Sequence, residues 1–156
     1  STRLPRAIRD VYKRQGQDNH RLNFGDDENL TCIIAEELTT QSLVDAFRKR
    51  RTYSTESRTL IMYFTINNEF MGDIIPMEDD NLQFSIFAHD PNHKILEIDI
   101  ISAGGTIIKK ISNLNLNKVK YLYSHEPLKT ELWYVIKITL DNNKIAISSP
   151  IFRGPE

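Results

Sequence analysis

The chain has 156 residues, of which 40% are hydrophobic and 26% charged, for a net charge of −1; this is ordinary for one or two small globular domains. Residues 1–15 carry Arg3, Arg6, Arg9, Lys13 and Arg14 against Asp10, a balance of +4 that leaves −5 on the rest, and an acidic body argues against binding along a nucleic-acid backbone, which takes clustered Lys and Arg. The lone Cys32 rules out an internal disulfide, and no apolar run approaches the roughly 20 residues of a membrane helix, so the expectation is a soluble, cytoplasmic protein with neither membrane nor nucleic acid as a partner.

Residues 1–15 show no apolar signal-peptide core and read as a disordered leader foreign to the fold; a short native amphipathic helix is the alternative. Gly16-Gln17-Asp18-Asn19-His20 follows. On an extended chain, side chains two apart point the same way. Asp18 and His20 would then offer a carboxylate and an imidazole to one site, and first-row metals accept both ligand types; two ligands are too few to hold a catalytic ion, and a solvated loop is the competing account. The polar run from Asn23 to Asn29 reads as an exposed loop, since Asp26-Asp27-Glu28 lacks the alternation of a calcium loop. Residues 30–35 suit a short buried strand, with Cys32 as a packed thiol.

A helix is expected over about 40–50. Thr39 is a good N-cap, Leu38 and Leu43 are spaced as a hydrophobic staple, and Leu43, Val44, Ala46 and Phe47 supply the apolar stripe. The basic run Arg48-Lys49-Arg50-Arg51 falls where the helix dipole favours cations, with substrate contact by Arg51 or Tyr53 as the sharper alternative.

From residue 57 onward the period changes to two. Strands are expected at 60–66, 70–75, 82–88, 96–100, 106–111, 119–123, 132–140 and 145–151, separated by turn residues such as Asn67-Asn68, Gly104-Gly105 and Asp141-Asn142-Asn143-Lys144. His89-Asp90-Pro91-Asn92-His93 is turn chemistry rather than a metal site. In the last hairpin, Leu132, Tyr134, Ile136, Ile138 and Leu140 share one face and Trp133 and Val135 the other. A single strand Trp is more often packed inside than offered to a sugar. Strands at about ten-residue spacing with no intervening helix describe an antiparallel, immunoglobulin-like β-sandwich without the disulfide.

The order of motifs adds a resemblance. Gly16-Gln17-Asp18-Asn19-His20, then Ala35-Glu36-Glu37-Leu38-Thr39, then Arg50-Arg51-Thr52-Tyr53-Ser54-Thr55, and finally Ser148-Ser149-Pro150-Ile151 together resemble the closing segment of the PHP (polymerase and histidinol phosphatase) family of metal-dependent hydrolases. The similar branch carries a β-rich extension after its catalytic α/β barrel. The basic leader resembles translated adaptor sequence at the ends of metagenome gene fragments. The resemblance implies a mainly β chain: an immunoglobulin-like sandwich over 57–153, preceded by a strand-helix remnant of the barrel over 16–56. It implies Asp18 and His20 as the last metal ligands of a phosphoesterase whose opening His-x-His is not in this chain. In the intact parent, divalent zinc, manganese or iron would activate water against a small phosphorylated substrate. The fragment alone is expected to hold no metal and to be inactive. An alternative is a non-catalytic sandwich that binds a glycan or docks on a domain, including the parent's barrel. In this picture residues 16–55 fold only against missing barrel strands, with high mobility expected up to about Leu38.

Overall fold

A computed structural model describes residues 29–154; the leader, Asp18 and His20 lie outside the described residues. The fold is mainly β, with one α-helix, and resembles a β-sandwich. The elements are β1 (Leu30–Ile33), α1 (Thr40–Arg48), β2 (Thr52–Thr55), β3 (Ile61–Ile66), β4 (Glu69–Phe70), β5 (Ile74–Ile75), β6 (Leu82–His89), β7 (Ile95–Ser102), β8 (Thr106–Ile111), β9 (Lys118–His125), β10 (Trp133–Leu140), β11 (Ile145–Ser148) and β12 (Ile151–Arg153). None of the described helices is long and apolar enough to cross a membrane.

Two sheets form. The smaller runs β4-β3-β6-β9; the larger runs β1-β2-β11-β10-β7-β8, with β12 and then β5 beside the other half of β10. Every pairing is antiparallel except that of β5 with β12. Alternation decides what lies between them. Met62, Phe64 and Ile66 of β3 and Phe84 and Ile86 of β6 meet Ile98 and Ile100 of β7 and Tyr134, Ile136 and Ile138 of β10 in one cluster. Each large side chain buried there contributes roughly 1.5–3 kcal/mol. Trp133 and Val135 point the other way, as their parity requires, and are buried in a second cluster with Ile101 and Ile147.

The structure corrects several sequence expectations. The staple fails, because Leu38 is 93% exposed. Thr39 does cap, accepting from the Ser42 amide at 3.3 Å. The helix stops at Arg48, two residues early, because Arg50 turns left-handed (φ 56°) and its amide reaches Phe47 O. The single strand expected at 70–75 is two: β4 belongs to the smaller sheet and β5 to the larger, with the chain crossing between them at Gly72 (φ 102°). The return strand at 145–151 is likewise split at Ser149-Pro150, where proline has no N–H for a ladder and Ser149 N bonds Thr52 O instead. Leu132 falls outside β10 and packs with Trp133, not with Tyr134. Conversely, β9 is longer than expected, eight residues in unbroken register with β6.

Residues 30–55 are tied to the larger sheet. β1 pairs with β2, and β2 pairs with β11 through Thr55–Ala146 and Tyr53–Ser148.

Candidate functional site

The surface with the most specific side-chain arrangement is the outer face of the smaller sheet. Residues on β3 and β6 that do not point into the core must point outward, which places Tyr63 and Phe87 directly opposite each other. Their rings stack at 4.9 Å with planes 19° apart. On the other side of β3, Phe70 of β4 stacks on Tyr63 at 5.8 Å and 26°. Cations cap both ends: the Arg51 guanidinium lies 5.4 Å from the Phe70 centroid and Lys118 Nζ of β9 lies 5.6 Å from that of Phe87. The result is a ladder, Arg51–Phe70–Tyr63–Phe87–Lys118, that follows the strand order across the sheet. Exposed Ile61 (53%) and Leu122 (77%) flank it.

This geometry has a chemical consequence. Sugar stacking needs an aromatic face open to the ligand, and here each ring lies between two neighbours. What this patch presents is ring edges and two aliphatic side chains, bordered by Arg51 and Lys118 and by the polar Thr65, Gln83 and Ser85 of the same face. Aromatic residues and arginine around an apolar patch are the make-up of a protein-docking surface.

Of the described residues singled out in the sequence, Tyr53 and Cys32 are neighbours and Arg51 lies apart from them. Arg51 caps the ladder, its Nη2 lies 4.0 Å from Asp73 Oδ2, and its buried Nε has no hydrogen-bond partner. Tyr53 lies in the core and donates to Leu60 O at 2.7 Å; burial, and then the adjacent Cys32 thiol, push its hydroxyl well above the ordinary tyrosine range. The two do not share a site. Cys32 packs against the core, and burial raises its thiol, with the Tyr53 hydrogen bond opposing. Asp18 and His20 fall outside the described residues, among which no group of three His, Cys, Asp or Glu is placed to hold a metal ion.

Two further features were not read from the sequence. A cleft of about 450 Å³ beside α1 is lined by Glu36, Glu37 and Asp45 together with Lys49 and Arg51, a mixture without a dominant sign. Near the β9–β10 connection, Glu131 Oε2 sits 2.6 Å from His125 Nε2 and accepts from the Tyr134 hydroxyl at 2.8 Å. Burial and then Glu131 hold that hydroxyl protonated far above its ordinary range. Arg153 Nη1 donates to Leu128 O and Glu131 O, and its Nη2 to Met77 O and Asp79 O. These bonds join loops to strands and stitch the edge of the sandwich.

No family model and no curated protein matches the chain. Among solved structures, a crystal structure of an engineered protein is similar over 61% of this chain and 20% of its own, with 7% identity and a TM-score of 0.38. The chain thus spans a small part of that protein's length, and so loose a likeness informs neither fold nor activity.

Proposed function

We propose that this chain is the C-terminal part of a PHP-type metal-dependent phosphoesterase, in which its β-rich portion is a non-catalytic appendage docked on the catalytic barrel. The observation that carries the docking half is the ladder on the smaller sheet: its ring faces are taken up by one another and by Arg51 and Lys118, leaving an apolar patch with a polar and cationic border, suited to a protein. The hydrolase half rests on the order of the sequence motifs. In it, Asp18 and His20 would be two ligands of a metal cage completed elsewhere, and the ions would supply an activated water. We further read the two sheets as an immunoglobulin-type pair, supported by the chain's passage between them after β6, β8 and β9. A glycan-binding role is the weaker reading, because it would need the ring faces that stacking occupies.

Both halves are testable in a polypeptide that carries the barrel as well. Asp18→Ala and His20→Ala should each lower metal content and phosphoester hydrolysis; unchanged metal stoichiometry in both removes the ligand assignment. Tyr63→Lys and Phe87→Lys should leave metal content intact while loosening the appendage, read as faster proteolysis between barrel and sandwich. Saturable oligosaccharide binding by the unaltered chain, lost in Phe87→Lys, would replace docking with glycan recognition.

A further inference from the structure

The smaller sheet ends in an open edge. β9 pairs with β6 over all eight residues, Lys118 to His125, without a register shift, and among the described residues no strand pairs with its other side. β8 approaches it through side chains, with Lys109 Nζ 5.4 Å from the Tyr123 ring, and pairs only with β7. A long, regular edge is a template for another strand unless it is bulged, short or charged against pairing. The larger sheet's outer strands do carry such protection: β8 joins β7 through a shifted register and β1 has four residues. β9 is neither short nor shifted in register, and it does carry charge, as the exposed Lys118 and Lys120.

We propose that β9 is a self-association edge, joining two copies of this chain antiparallel about a two-fold axis at Leu122. The commitment to a second copy comes from the strand's own sequence. Opposed residues in an antiparallel pair must point to the same face, and in β9 the even-numbered positions face outward while Val119, Tyr121, Tyr123 and His125 face inward. A two-fold axis therefore has to pass through a residue. With the axis at Leu122, the 77%-exposed leucine meets its own copy. Lys120 then faces Ser124, Tyr121 faces Tyr123, and Lys118 faces the exposed Glu126 of the other copy. No like charges oppose, and each half repeats the same attractive pair, as a two-fold interface demands. The product is one continuous eight-stranded sheet, and this inference goes beyond the docking role and stands without it.

The test is sedimentation or light scattering on the full chain. The unaltered protein is expected to sediment as a dimer of the 18.1 kDa protomer at micromolar concentration. Leu122→Lys, which sets two cations on the axis, should be monomeric with an unchanged circular-dichroism spectrum. Glu126→Lys should weaken the dimer about tenfold, since two attractive cross-strand pairs become repulsive. The double variant Lys118→Glu, Glu126→Lys should restore it. A monomeric unaltered protein, a Leu122→Lys dimer as tight as the original, or a charge swap that fails to restore association would each overturn the proposal.

Discussion

Gly72 sits where the chain leaves one sheet for the other. Its φ of 102° is a left-handed value that a side chain adopts only with strain. A Cβ added there would lie 2.1 Å from Lys49 O and 3.0 Å from Arg50 O, both backbone atoms that cannot swing aside. Arg50 Nε also donates to Gly72 O at 2.8 Å, clamping the helix exit to this crossing. Gly72→Ala should therefore cost about 3 kcal/mol or more, from strain and overlap together. Urea denaturation measures it, and a loss under about 1 kcal/mol would mean that the crossing relaxes freely. The glycine is visible in the sequence as a break in an apolar run. What it approaches is not, because Lys49 lies more than twenty residues away.

At one end of the sandwich, three connections converge on Asp90, two of them tied by its carboxylate and the third through its backbone carbonyl. Asp90, fully buried, accepts from Ser57 Oγ (2.6 Å), Thr59 Oγ1 (2.7 Å), Asn92 N (2.9 Å) and His93 N (3.2 Å). Asn117 closes the set by donating to Asp90 O and His93 O. Burial works to raise the Asp90 carboxyl, but the four donors outweigh it and hold it below the usual range. A depressed carboxyl stabilises the fold fully above its unfolded value of about 3.9, and that contribution is lost as pH falls through the folded value. Thermal melts should thus show an acid-side decline beginning below about pH 4. Asp90→Asn should lower stability near neutrality by about 2 kcal/mol, because its NH₂ meets donors, and should flatten the decline. An unchanged acid limb in that variant would assign it to other carboxylates. The turn was legible from Asp90-Pro91-Asn92. The ties to residues 57 and 117 needed the three connections to converge.

The two sheets and the segment before them behave as one packed body among the described residues. Tyr53 is part of the central cluster and β2 covers the edge of β11. A chain starting at Ser57 would lose that ring and expose the β11 edge. It should unfold at markedly lower denaturant with a smaller slope, or aggregate. A truncation with the unaltered midpoint would show residues 57–153 to be independent. Hydrogen exchange on the full chain gives a second reading, with amides of β2 protected alongside those of β10.

The amino-acid order by itself determined the alternating faces of β3, β6 and β10, the Thr39 cap and the turns, because these depend on neighbours within a few positions. Parity alone sets Trp133 on the face opposite Tyr134, and Tyr63 and Phe87 on the face opposite the core positions of their strands; the burial of Trp133 came from packing in a second cluster. Which strands lie side by side came from packing: the split of 70–75 between two sheets, the ladder from Arg51 to Lys118, and the open edge of β9 all join residues far apart in the chain. Pairing is set by how two apolar faces close over a shared interior. Local periodicity carries no record of which partner a strand will find.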